Sequence, residues 1–183
     1  MKAIFKHIPK QSHYLINQYI KKYPVSFKIS SRRYSKHGDY RFYNNGREQI
    51  SINSNLNPYK FLITLIHEIS HLVSYKNYGR NIKPHGMEWK KTYKNLIHPF
   101  LNDSIFPKTL LKVLNNHFIN PKSSSDSDLE LALVLKKYDN HKELCLYEIP
   151  EGYNFKIYNG KVFKKGLKRK KRIECEEIKS KKR

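Results

Sequence analysis

A chain of 183 residues with a formal net charge of +22 has room for one domain, or for one domain and a small appendage. Only 15 Asp and Glu stand against 37 Lys and Arg, and the natural partner of such a surface is a polyanion, most often nucleic acid. Two cysteines, Cys145 and Cys175, exclude a disulfide framework or a four-cysteine metal site and suit a reducing cytosol; the N-terminus has no apolar leader, and no apolar run approaches the ~20 residues of a membrane span.

Apolar residues at Tyr14, Leu15, Tyr19 and Ile20 predict a helix over 11–22, with Ser12 as its cap and Pro24 beyond its end. Alternating Val, Phe and Ile over 25–31 predict a strand. Two more short strands, 40–43 and 49–53, flank Asn44-Asn45-Gly46, a hairpin turn because Asn and Gly tolerate positive φ. Asn57 and Pro58 open a helix that runs to about Tyr78 and stops at Gly79. Further helices are expected from about Gly86 to Ile97 and from about Pro107 to His117. The Pro-, Ser- and Asp-rich stretch 120–128 is the clearest boundary in the chain. Past it, short strands are expected at 129–138, 143–149, 153–158, 161–165 and 170–178, with Asn159-Gly160 the strongest hairpin signal.

Chemistry concentrates in the helix that starts at Pro58. His67-Glu68-Ile69-Ser70-His71 has the pattern HExxH, and residues four apart share one helix face. His67 and His71 can therefore present two imidazoles to one zinc ion, with Glu68 beside the first to act on a water molecule there. At this chain's His and Glu frequencies such a match arises by chance with a probability of about 2%. The motif also lies among Leu62, Ile63, Leu65, Ile66, Ile69, Leu72 and Val73, so the helix is buried on most sides. Burying two histidines and a glutamate is costly unless something satisfies them, and a metal ion does. A catalytic zinc takes three protein ligands and keeps one open position. His85, in Lys83-Pro84-His85-Gly86, is the best third ligand, with Glu88 and His98 as competitors.

The stretch HEISHLVSYKNYGRNIKPHGMEWKKTYK resembles the SprT-like metalloprotease family, which follows HExxH with an aromatic and basic segment, a Gly-Arg and a Pro-His-Gly-x-x-Trp. Here these are Gly79-Arg80, Pro84-His85-Gly86 and Trp89. The resemblance covers residues from about 10 to 117 and is strongest over 67–89. It implies zinc held by His67, His71 and His85, Glu68 as general base, and an association with DNA in which crosslinked proteins are degraded. Many members end in a four-cysteine zinc ribbon, which this chain lacks. The expected fold is α+β: a zincin-like minimal metalloprotease core over 1–119, a linker at 120–128 and a basic antiparallel β unit at 129–183. The core would comprise an N-terminal helix, a three-stranded sheet, the HExxH helix and the helices after it.

The expected reaction is hydrolysis of peptide bonds in a protein substrate, with Glu68 moving the proton. Tyr75, Tyr78, Arg80 and Tyr93 lie near enough in sequence to stabilise the oxyanion, and the sequence does not choose among them. Lys164, Lys165, Lys168, Arg169, Lys170, Lys171 and Arg172 crowd into nine positions after Phe155, Tyr158 and Phe163, a mixture that suits a DNA surface. A nucleic-acid-binding or transcription-associated module with a structural zinc is the alternative. Glu68 argues against it, because a structural site needs no general base. A cytoplasmic protein with no membrane partner completes the expectation.

Overall fold

The computed structural model describes residues 2–140, 144–170 and 172–182. The chain divides into two compact units, Met1–Asn140 and His141–Arg183.

The first unit opens with a short helix α1 (Lys2–Phe5) that sequence periodicity did not suggest, followed by α2 (His13–Lys22). Ser12 precedes α2 but does not cap it with its side chain; its hydroxyl donates to the Pro9 carbonyl instead. Strands β1 (Ser26–Ser30), β2 (Gly38–Phe42) and β3 (Glu48–Asn53) form one sheet in the order β1-β3-β2. β3 runs parallel to β1 and antiparallel to β2, and the Asn44–Gly46 turn joins β2 to β3 with Gly46 at φ 80°. Ile50 and Ile52 of β3 are fully buried, while Ser51 and Asn53, which alternate with them, both bond to the Arg33 guanidinium. The strand is thus satisfied on both faces.

Helix α3 (Pro58–Tyr78) is the centre of the unit. The Asn57 side chain accepts from the Lys60 N–H, Pro58 fills the first turn, and Gly79 at φ 79° ends the helix. Phe61, Leu62, Leu65, Ile66, Ile69, Leu72 and Val73 are buried, each such side chain worth about 1.5–3 kcal/mol of transfer free energy. Helices α4 (Met87–Ile97), α5 (Lys108–Ile119) and α6 (Leu129–Lys136) follow. Among the described residues no helix is long and apolar enough to cross a membrane.

Helix α6 replaces the strand expected at 129–138. Leu131 and Leu135, one helical turn apart, are buried in the core, and the Asp128 carboxylate accepts from the Leu131 N–H as the cap. Asn57 also donates to the Leu135 carbonyl. The Ser-rich stretch before it is folded as well: Ser124 caps a single turn over Ser125–Ser127 within the first unit.

The second unit is an antiparallel meander of β4 (Asn154–Lys156), β5 (Val162–Arg169) and β6 (Arg172–Glu177). The strand expected at 143–149 is instead a turn at Leu146–Glu148, held by the Glu148 carboxylate on the Cys145 N–H; Glu143 lies outside the described residues. A register shift between Lys165 and Lys168 interrupts the β5–β6 pairing.

Candidate metal centre

His67 and His71 face the same way from α3. The chain then reverses at Gly79 and returns through a tight turn, in which Gly86 N–H donates to the Lys83 carbonyl. His85 sits in that turn with φ 60°, a left-handed conformation that a side chain adopts only under constraint and that often marks a functional position. The three Nε2 atoms form a triangle with edges of 3.1, 3.2 and 3.2 Å. Trp89, 1% exposed, is their common platform, with its ring 4.7 Å from those of His67 and His85 and 5.3 Å from that of His71.

Hydrogen bonds do not explain the triangle. A neutral imidazole carries a single N–H, in the plane of its ring, so three Nε2 atoms cannot all be linked pairwise by well-directed hydrogen bonds. Protonation does not explain it either. Burial, and then the charges of His71 and His85, hold His67 far below its ordinary range. Burial, and then His85, bring His71 down to about 3, and burial lowers His85 too. Three neutral imidazoles therefore converge through Nε2, the charge state in which imidazole binds metal. Two nitrogens on one zinc at tetrahedral geometry lie roughly 3.4 Å apart, close to the observed edges. The trio could hold a metal ion. Glu88 and His98 contribute no atom to the group, and among the described residues no fourth ligand joins it.

Glu68 is 6% exposed and borders the same cavity, which measures about 410 Å³. Burial pushes its carboxyl up to about 8, assisted by the charge of Asp39 and opposed by the Tyr40 N–H, Arg33 and Lys36. A nearby dication acts in the lowering direction. Gly38 sets this carboxylate against β2: a Cβ there would stand 2.5 Å from Glu68 Oε1 and 2.7 Å from Thr64 Cγ2. No local pattern signals this contact, which joins residues thirty positions apart. The opposite wall comes from the Ser-rich stretch. Asp126 fixes it by bonding His37 at 2.5 Å and Lys60 at 2.7 Å.

Of the four residues considered for the oxyanion, Tyr75 and Tyr93 line the cavity. The Tyr93 hydroxyl is 3.3 Å from the Ile63 carbonyl. Arg80 stacks on the Phe42 ring and Tyr78 is half exposed, and neither borders the cavity.

In the second unit Lys164, Lys168, Arg169, Lys170 and Arg172 are exposed on the β5–β6 hairpin. Lys165 is half-buried, and its ammonium donates to the carbonyls of Tyr147 and Ile149. Arg169 pairs with Glu174 at 3.0 Å. Lys171 lies outside the described residues.

Three neutral imidazoles and an adjacent buried carboxylate, open to one cavity, define the class as a metallopeptidase-like domain. The chain belongs to the SprT-like family, which matches residues 5–107, more than half of it. No curated protein and no solved structure matches the chain at a significant level.

Proposed function

We propose that this protein is a zinc-dependent endopeptidase with a zincin-type core, acting on proteins bound or crosslinked to DNA. The observation that supports it most is Glu68: a carboxylate held beside three metal-competent imidazoles on a helix, facing a cavity rather than packed away. His67, His71 and His85 would hold the zinc ion, which would supply polarisation of the scissile carbonyl and acidification of a water molecule. Glu68 accepts the proton of the attacking water and returns it to the leaving amine. Its burial suits both steps, since the carboxyl binds a proton firmly and releases it within the same cavity. Gly38 and the Tyr40 N–H keep the carboxylate in one orientation.

The DNA part of the proposal draws on the net charge of +22 and on the exposed hairpin cations Lys164, Lys168, Arg169, Lys170 and Arg172. A structural zinc site closes its fourth position with a protein ligand. The trio has none among the described residues, which favours catalysis. The test is cleavage of a casein-type substrate with and without DNA. Wild type with zinc should cleave, and Glu68→Gln should bind zinc and not cleave. Cleavage by Glu68→Gln at the wild-type rate would remove the proposed base.

A further inference from the structure

Strand β3 lies between β1 and β2, so the connection from β1 to β2 has to cross it. It crosses on the side of Ser51 and Asn53, opposite the buried face of Ile50 and Ile52, and the half-buried Arg33 ties it down. Its Nε donates to Asn53 Oδ1 at 2.7 Å and its Nη1 to Ser51 Oγ at 2.9 Å. Nη2 donates to the carbonyls of Ser51 at 3.2 Å and His37 at 3.4 Å. Asn53, 1% exposed, holds the same segment with its own groups. Nδ2 donates to the carbonyls of Arg33 at 3.0 Å and Lys36 at 2.9 Å, and the Asn53 N–H donates to the His37 carbonyl at 2.9 Å. A buried polar network whose members are satisfied holds one conformation, and removing one member leaves the others unpaired.

The segment held in this way leads directly to Glu68. Gly38 follows His37 and opens β2, where a Cβ would stand 2.5 Å from Glu68 Oε1 and 2.8 Å from its Cγ. Two residues further on, the Tyr40 N–H donates to the same carboxylate. Pairing with β3 sets the register of β2 but leaves an edge strand free to splay away from α3. What fixes its first residue is the His37 carbonyl, bonded by Arg33 and by Asn53 together. Arg33 itself does not border the cavity, so any effect it has on chemistry there passes through β2.

We propose that Arg33 is a positioning residue for the reaction: by fixing the His37 carbonyl against β3 it sets Gly38 and the Tyr40 N–H against Glu68, and so keeps the carboxylate in the orientation from which it takes a proton from water. This rests on the peptidase reading above.

A plain structural tie would cost melting temperature and leave kcat per folded, zinc-loaded molecule as it was. The experiment therefore measures kcat, KM, zinc content and melting temperature for wild type, Arg33→Ala, Gly38→Ala and the double variant, together with amide hydrogen exchange at Tyr40 in the zinc-free proteins. Arg33→Ala should keep its zinc, because His67, His71 and His85 lie on other segments, hold KM within about twofold and lose kcat by about 10–100-fold. In the Gly38→Ala background, where the carboxylate is already displaced, the same change should cost less than about threefold, since both act on one group. The Tyr40 amide should exchange about 10-fold faster in Arg33→Ala than in wild type. Wild-type kcat in folded, zinc-loaded Arg33→Ala overturns the inference. So does a loss in the double variant as large as the two single losses multiplied, or unchanged exchange at Tyr40. If Arg33→Ala does not fold, Arg33→Gln takes its place: it keeps a donor for Asn53 and loses those for Ser51 and His37, and the same outcomes decide. A zinc-loaded wild type that cleaves nothing overturns the peptidase reading, and the exchange at Tyr40 then decides by itself whether Arg33 places Glu68.

Discussion

The face of α3 that carries His67, Glu68 and His71 and the β5–β6 hairpin both gather polar side chains, but what surrounds those side chains differs. On α3 they are buried and fixed from several directions: Trp89 supports three imidazoles, and Gly38 and the Tyr40 N–H confine Glu68. On the hairpin, cations extend into solvent, and some are already engaged, Arg169 by Glu174 and Lys165 by two carbonyls. A buried polar group costs several kcal/mol unless it is satisfied, so its arrangement is specific. An exposed pair contributes at most about 1 kcal/mol, so its arrangement is permissive. The first cluster is held in one arrangement; the second is free to take many.

The largest effect should come from removing a ligand. His67→Ala, His71→Ala and His85→Ala should each lose one zinc equivalent and all cleavage, read by metal analysis of the purified protein. Full zinc in His85→Ala would move the third ligand elsewhere. Next comes Gly38→Ala, whose methyl group displaces Glu68 without touching a ligand. Cleavage should fall by about 100-fold while zinc content stays at one, and an unchanged rate would show that the close contact has no catalytic consequence.

On the hairpin, changing Lys168, Arg169 and Lys170 together to Ala should lower the slope of log affinity for DNA against log salt by about two to three. Zinc binding and cleavage of a free substrate should not change. DNA binding with the wild-type slope would assign those cations to solubility alone.

The smallest effect concerns Asp126. Although burial raises its carboxyl, the His37 bond and the charge of Lys60 hold it below the ordinary range. A lowered carboxylate stabilises the fold above its unfolded pKa, and that contribution is lost as pH falls through the folded value. Asp126→Asn should therefore cost about 0.5–1 kcal/mol at pH 7, after discounting for its exposure, and the cost should fade in acid. A pH-independent difference in melting temperature would rule out the ion pair as its cause.

The contrast between the clusters also explains what could be read from the sequence. His67 and His71 were legible because one helix turn separates them, and α3 because its cap, first-turn proline and terminal glycine are local signals. Gly38 against Glu68 and Arg33 against Asn53 were not legible, since each contact is made by tertiary packing between segments with no shared period. The misread strand at 129–138 has a specific cause. Leu-Glu-Leu-Ala-Leu-Val-Leu alternates with period two, yet it places Leu131 and Leu135 on one helical face equally well. The Asp128 cap and the surrounding core decide for the helix. The stretch 120–128 looked like a linker for its composition, whereas Asp126 anchors it to His37 and Lys60 as a wall of the cavity.

The most direct test measures zinc content and peptide-bond cleavage in the same preparations of wild type and Glu68→Gln. The account predicts one zinc in each and cleavage only in wild type. Equal cleavage in both, or wild-type cleavage that survives removal of the metal, would contradict it.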